Sequence, residues 1–266
     1  MSDLLEIARA LALRAGRLQR ARLDEPRQIE TKSTAIDLVT DVDKASEALI
    51  LEGIARARPH DGILSEEAGH QSEGTSGVRW VIDPLDGTIN YAHAVPHFCV
   101  SIGVEVDGVR EVGVIYNPNL DELFWAERGR GAFLNDRRIQ VSRTTALKQA
   151  LLATGFAYSV HDARANNLDH FVNFMLRARA VRRFGSAALD MAYVACGRFD
   201  GFWEQDLHPW DVAAGLLICD EAGAVTSDFK GGPAPSSGRD TVACAPPLHA
   251  QMLEVLAAGR AVTDAS

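Results

Sequence analysis

The segment Trp80-Val81-Ile82-Asp83-Pro84-Leu85-Asp86-Gly87-Thr88 runs an apolar strand directly into two carboxylates, a glycine and a hydroxyl. A strand end is rigid, so Asp83 and Asp86 are expected at a fixed separation, with Pro84 setting the backbone turn and Gly87 letting main-chain N–H groups approach an anion. Two hard oxygen anions held this way suit Mg2+. The same residues also serve ordinary turns, which use Asp, Pro and Gly. The metal reading needs further acids, because a cation cluster that receives a phosphate takes more ligands than one turn supplies.

Three other stretches offer them. Ile63-Leu64-Ser65-Glu66-Glu67-Ala68-Gly69 ends a short apolar run on adjacent acids, of which one can face a metal and the other solvent. Asp37-Leu38-Val39-Thr40-Asp41-Val42-Asp43, preceded by Lys32, carries acids that read equally as the capping residues of a helix continuing through Ala45, Leu49 and Ile50. Trp210-Asp211-Val212-Ala213-Ala214-Gly215 opens an apolar helix ending at Glu221-Ala222-Gly223, where an acid in the first turn also reads as a cap.

Taken together, these segments resemble the inositol monophosphatase family of metal-dependent, lithium-sensitive phosphatases. Its two signature segments match residues 80–88 and 210–224, in the right order and at the expected separation. The likeness extends through Ser65-Glu66-Glu67, the stretch from Pro96 to Gly103, Gly129-Arg130-Gly131 with its continuation to Asn135, and the stretch from Arg183 to Asp190. It covers roughly residues 5–255, with wording most similar to bacterial inositol-1-monophosphatases of the extragenic suppressor type. The resemblance implies an α+β or α/β chain folded as a layered α-β-α-β-α sandwich. It also implies a single domain over residues 1–266, with approximate halves 1–145 and 146–266 and a metal site between them.

The resemblance also assigns roles. Asp83 would bridge two Mg2+ ions; Glu66 and the Leu85 carbonyl would complete the first, Asp86 and Asp211 the second, and a third, looser ion would share Glu66. Glu66 and Thr88 would orient the attacking water, with Asp43 accepting a hydrogen bond from the Thr88 hydroxyl. The Gly87 and Thr88 N–H groups would receive phosphate oxygens. Asp83, Leu85, Asp86 and Asp211 would meet the substrate through this centre, while Gly185, Ser186, Ala187 and Glu204 would line the pocket for a polyol. Related pockets take fructose 1,6-bisphosphate, histidinol phosphate or 3'-phosphoadenosine 5'-phosphate. A second phosphate would need extra cations, for which Arg164, Arg182 and Arg183 are the candidates. His93 and His97 read as hydrogen-bonded loop residues, and Gly129-Arg130-Gly131, with no following Lys-Ser or Lys-Thr, reads as a hairpin. The family implies a homodimer. A reading of another class makes the chain a binding or regulatory scaffold with incidental catalysis.

Composition sets the outer limits. With 266 residues, 47% of them hydrophobic, the chain can bury a sizeable core. A net charge of −9 argues against a nucleic-acid surface and requires a phosphate ester to find its positive charge locally, as bound metal provides. Cys99, Cys196, Cys219 and Cys244 are widely spaced and read as buried thiols. Leu4, Ile7, Ala8, Leu11 and Ala15 form an amphipathic helix rather than a signal peptide, and no apolar run is long enough to span a bilayer, so a cytoplasmic location is expected.

Periodicity predicts helices over residues 4–22 and 43–57, strands at 80–82, 99–106, 111–116 and 123–126, and a hairpin at Asp107-Gly108. Further on it predicts a strand at 151–154, helices near 166–179, 187–196 and 212–222, and a strand at 241–245 preceded by a loop at Gly231–Gly238.

Overall fold

The computed structural model describes residues 2–25, 28–32, 37–161 and 166–258. Helix α1 (Asp3–Arg22) is followed by a two-stranded ribbon, β1 (Ile29–Thr31) and β2 (Leu38–Thr40), and by α2 (Asp41–Ala57). Eight strands come next: β3 (Gly62–Ser65), β4 (Gly69–Ser72), β5 (Val78–Asp86), β6 (Cys99–Val106), β7 (Val109–Asn117), β8 (Glu122–Glu127), β9 (Ala132–Leu134) and β10 (Arg137–Arg138). The short helix α3 (Thr88–Ala92) stands between β5 and β6. The second half holds β11 (Leu151–Thr154), α4 (Leu168–Met175), β12 (Ala180–Arg182), α5 (Ala187–Ala195), β13 (Gly201–Gln205), α6 (Pro209–Glu221), β14 (Val225–Ser227), β15 (Asp240–Cys244) and α7 (His249–Ala257).

The first sheet runs in the order β10-β9-β8-β7-β6-β5-β3-β4, and the second in the order β12-β11-β13-β15-β14. Helices α1 and α2 cover the outer face of the first sheet, where Leu5, Leu11, Ile50 and Ile54 pack on Trp80, Ile82, Ile102 and Val114. Helices α4 and α7 cover the outer face of the second, with Phe174, Met252 and Val255 against Leu152, Trp203 and Val242. Between the sheets lie α5 and α6. Every residue of α5 and all of Val212–Cys219 in α6 are buried, as expected of helices that are apolar all round. The result is the five-layer α-β-α-β-α sandwich that the resemblance implies.

A pair of glycines sets how closely the central layer approaches. Gly103 on β6 stands opposite Gly113 on β7. A Cβ on Gly103 would come within 2.6 Å of the Ala213 Cβ, and one on Gly113 within 2.6 Å of the Ala214 carbonyl. The bare backbone of these two residues is therefore what lets α6 lie flat on the sheet, bringing its N-terminal turn towards the end of β5.

Several elements depart from their sequence-based bounds. Asp107 and Gly108 both have positive φ, 50° and 78°, which is the hairpin expected there. The helix predicted near 166–179 is only Leu168–Met175, because the chain leaves it to form edge strand β12. The ribbon, β9, β10, β12, β13, β14 and α7 carry no strong periodicity of their own; sheet pairing or packing on a neighbour supplies it. Cys99, Cys219 and Cys244 are buried and Cys196 is half-buried, all as free thiols. No helix among the described residues is long and apolar enough to cross a membrane.

Candidate active site

The expected turn at Pro84 is instead a β-bulge inside β5. Pairing with β6 is regular through Asp83↔Ser101 and resumes at Asp86↔Cys99, so three steps on β5 face two on β6. Residues three apart in a regular strand point to opposite faces; the extra residue restores one face to both, and Asp83 and Asp86 line the same cavity. Pro84 is tolerated because a bulge does not need its missing N–H. Leu85 has its side chain in a small core with Val42, Tyr91 and Phe98, while its N–H donates to Asp83 Oδ1 at 3.0 Å.

The actual change of direction comes at Gly87, with φ 97°, where a Cβ would stand 3.0 Å from the His97 carbonyl. It opens α3, whose first residue, Thr88, is buried. The Thr88 hydroxyl donates to Asp43 Oδ1 at 2.9 Å and lies 3.1 Å from the Leu85 carbonyl. Asp43 is both a helix cap and a site residue. Its Oδ2 accepts from the Thr40 N–H at 2.9 Å and from the Thr40 hydroxyl, closing a capping box at the start of α2. Burial pushes its pKa up to about 6 against the lowering effect of the Thr40 and Thr88 hydrogen bonds.

Strand β3 runs parallel to β5, with Ser65 opposite Ile82, so Glu66 emerges beside Asp83. The Glu66 N–H continues the pairing to the Ile82 carbonyl at 3.1 Å. Lys32 Nζ spans the two adjacent acids, 2.8 Å from Glu66 Oε1 and 2.6 Å from Glu67 Oε1. Burial alone would lower the Lys32 pKa, but the two carboxylates outweigh it and hold the ammonium protonated. Glu67 is pushed up to about 7 by burial and by Glu66, against the pull of Lys32. Residues 33–36, between Lys32 and Asp37, lie outside the described residues.

Asp86 is tied to the start of α5. Its Oδ2 accepts from the Ser186 hydroxyl at 2.6 Å and from the Ala188 N–H at 2.8 Å, with the Cys99 thiol at 3.7 Å. Ser186 thus caps α5 and holds Asp86 as well as lining the cavity with Gly185 and Ala187. This link joins residues a hundred positions apart and has no local sequence signal. Asp211 sits at the third position of α6, where its Oδ2 accepts from the His208 N–H at 2.6 Å. The capping reading and the site reading both apply to it, since it also faces the cavity.

Glu66, Asp83, Asp86 and Asp211 therefore open on one cavity of about 360 Å3. Burial raises the Asp83 pKa well above the carboxylate range, and Glu66, Asp86 and Asp211 raise it further. Burial and then Asp86 do the same for Asp211, opposed by the His208 N–H, and Asp86 is pushed up to about 6. Among the described residues no three His, Cys, Asp or Glu side chains already stand in ligating geometry. Each acid leans instead on a local partner: Glu66 on Lys32, Asp83 on the Leu85 N–H, Asp86 on Ser186 and Ala188, and Asp211 on the His208 N–H. The donor set nevertheless fits a hard divalent cation, because every side chain is a carboxylate and their crowding creates negative charge that Lys32 alone does not neutralise.

Glu204 on β13 lines the same cavity. Burial pushes it up to about 8, with Arg183 opposing and Asp86 adding. A Cβ on Gly155 would collide with its carboxylate, so the bare glycine makes room for the acid. Asp37, from one of the acidic stretches, also lines the cavity, as do Asp190 and Tyr158, which were given no role from sequence. Of the three candidate arginines, Arg183 lines the cavity, Arg182 is exposed, and Arg164 lies outside the described residues. His93 is exposed, and His97 packs its ring against Phe184, with centroids 5.0 Å apart; neither lines the cavity. The Gly129-Gly131 turn does hold an anion, but an internal one: its two glycine N–H groups donate to the Glu221 carboxylate at 2.7 and 2.6 Å.

Comparison with known proteins agrees with this architecture. The model of the inositol monophosphatase family matches residues 1–261. A Synechocystis inositol-1-monophosphatase is 44% identical over 96% of this chain and 88% of its own length. The Escherichia coli protein named Nus factor SuhB is 44% identical over 87% of each chain. The crystal structure of the extragenic suppressor protein suhB from Bartonella henselae superposes with a TM-score of 0.90 at 39% identity, covering 97% of this chain and 100% of that one. With the family model spanning nearly the whole chain and the fold shared throughout, the chain belongs to the inositol monophosphatase family.

Proposed function

We propose that the chain is a Mg2+-dependent, Li+-sensitive phosphomonoesterase that hydrolyses inositol 1-phosphate or a related polyol phosphate. The observation that carries this reading is the meeting of Glu66, Asp83, Asp86 and Asp211 with Glu204 around one cavity. Family membership and the name of the Synechocystis relative, an inositol-1-monophosphatase, support phosphatase chemistry.

In this reading Glu66, Asp83 and the Leu85 carbonyl would hold one Mg2+, Asp83, Asp86 and Asp211 a second, and Glu66 would share a third. When bound, these ions supply the positive charge for the phosphate, acidify a water and neutralise the leaving oxygen. The Thr88 hydroxyl donates its hydrogen bond to Asp43, so its oxygen remains as an acceptor for a water hydrogen, turning the water's lone pair outwards. Glu66 accepts the water's other hydrogen from the neighbouring strand. The Gly87 and Thr88 N–H groups receive phosphate oxygens, and Glu204, with the Gly185–Ala187 turn, takes the hydroxyls of the leaving alcohol. The bond from phosphorus to water oxygen forms as the ester P–O bond breaks; one hydrogen of that water stays on the phosphate and its other proton ends on the ester oxygen, which leaves as the alcohol.

The cavity favours one phosphate over two. Arg183 is the only Lys or Arg among its described lining residues, which disfavours fructose 1,6-bisphosphate and 3'-phosphoadenosine 5'-phosphate. Initial rates on these two, on histidinol phosphate and on inositol 1-phosphate, with and without Mg2+ and Li+, test the proposal. A Mg2+-dependent preference for inositol 1-phosphate is expected; equal, metal-independent rates on all four would sink it.

We also propose one domain with one site per chain, a homodimer and a cytoplasmic location; a purely monomeric species in sedimentation at micromolar concentration would remove the dimer. A second reading is favoured by the name Nus factor SuhB of the Escherichia coli relative, which points to a regulatory protein-binding role. Replacing Asp83 separates the two readings, since a scaffold role would survive loss of turnover.

A further inference from the structure

Asp190 is a side chain the proposed mechanism leaves unused. It lies in the first turns of α5, where its N–H donates to the Ser186 carbonyl at 3.0 Å, so it shares a helix face with Ser186 and Ala187. Asp190 and Glu204 both line the cavity, and Glu204 is near enough to act electrostatically on Asp190. Asp190 is fully buried, and among the described residues neither carboxyl oxygen has a hydrogen-bond partner. A helix N-terminus favours an acid, but the effect is smaller than the cost of two buried, unpaired oxygens, so helix capping does not explain the residue. An unpaired polar group at a cavity wall is completed by what enters the cavity.

We propose that Asp190 is a specificity-determining residue: the deep member of an acid pair with Glu204 that takes hydroxyls of the leaving alcohol, directly or across one ordered water. The inference rests on the polyol-phosphate reading above and deepens it. Burial raises the Asp190 pKa well above the carboxylate range, Glu204 and Asp86 raise it further, and Arg183 opposes. The upward shift favours the neutral carboxyl, which carries one donor and one acceptor. A hydroxyl group both gives and takes a hydrogen bond and complements it; a bare aromatic leaving group does neither.

The test compares kcat/KM for inositol 1-phosphate with kcat/KM for 4-nitrophenyl phosphate, whose leaving group has no ring hydroxyls. Asp190→Leu, of similar bulk but without polar atoms, is expected to lower the ratio of the two about tenfold, the size of one lost hydrogen bond. Asp190→Asn, which keeps a donor and an acceptor in place, is expected to retain about half of the ratio or more. If leucine is not accommodated, Asp190→Ala removes the same oxygens and should show the same fall. An unchanged ratio in the Leu or Ala variant, or an Asn variant as damaged as Leu, overturns the inference. A wild-type ratio near one removes the polyol reading and this inference with it; a high wild-type ratio that survives loss of Asp190 overturns the inference alone.

Discussion

Thr88 Oγ1 donates a 2.9 Å hydrogen bond to Asp43 Oδ1, joining the first residue of α3 to the N-terminal capping box of α2 across 45 positions of sequence. Because Thr40 already occupies Asp43 Oδ2, Asp43 cannot turn away, and the direction of the Thr88 hydroxyl is set by the fold.

Thr88→Ala should therefore lower kcat by about 100-fold, the range for losing a group that orients a reacting water, and leave the Mg2+ midpoint within about twofold. Thr88→Ser keeps the hydroxyl and should recover most of the rate. Steady-state kinetics with Mg2+ titration decide it; a shifted metal midpoint with unchanged kcat would reverse the assignment.

Asp83→Asn should reduce turnover by about 1000-fold or more, because it weakens the acid shared between the proposed cation sites. Its effect on stability has the opposite sign. In chelator-treated protein Asp83 is crowded by Glu66, Asp86 and Asp211, so the amide should melt no lower than wild type, while the gain in Tm on adding Mg2+ should shrink. Thermal melts with and without Mg2+ test both halves.

Gly103→Ala places a methyl group within 2.6 Å of the Ala213 Cβ and pushes α6 off the sheet. Overpacking of this kind costs about 1–3 kcal/mol. Since α6 carries Asp211, weaker Mg2+ binding should accompany the loss of stability, although residue 103 is not itself among those lining the cavity. Calorimetric Mg2+ titration of the folded variant would show it; unaltered affinity would mean that Asp211 is positioned independently of this contact.

Metal-free protein should lose stability as pH rises. Asp43, Glu67 and Glu204 have pKa values raised to about 6, 7 and 8, so between their ordinary values near 4 and these values the folded chain keeps protons that the unfolded chain releases. Folding then binds protons, and stability falls with pH across that window. Lys32, raised above its ordinary value near 10.5, loses its contribution only above this range. Urea unfolding of chelator-treated protein should show a lower midpoint at pH 8 than at pH 5.5, and saturating Mg2+ should flatten the difference. A midpoint that rises with pH in chelator would contradict this electrostatic description.

Helices α1, α2, α5 and α6, the central strands β6 to β8 and the Asp107-Gly108 hairpin were legible because their patterns are local: apolar periodicity, caps and a turn dipeptide. The short strands β9, β10, β12 and β14 were not, since two or three residues carry too little pattern and their partners lie elsewhere in the chain. At the site, Asp43 and Asp211 each read as either a cap or a functional acid, and both descriptions apply because a capping carboxylate at a helix start can also face a cavity.

By itself the sequence determined the chemistry available: carboxylates beside a glycine turn and a hydroxyl, and helices apolar enough to be central. Only the tertiary structure decided how that chemistry is aimed. The bulge at Pro84 turns Asp83 and Asp86 to one side, Gly103 and Gly113 let α6 deliver Asp211, Ser186 holds Asp86, and Asp190, beside the cavity, is left without a hydrogen-bond partner among the described residues. These outcomes depend on register and close approach between segments far apart in the chain, and such contacts come into being only when the sheets and the central helices pack together.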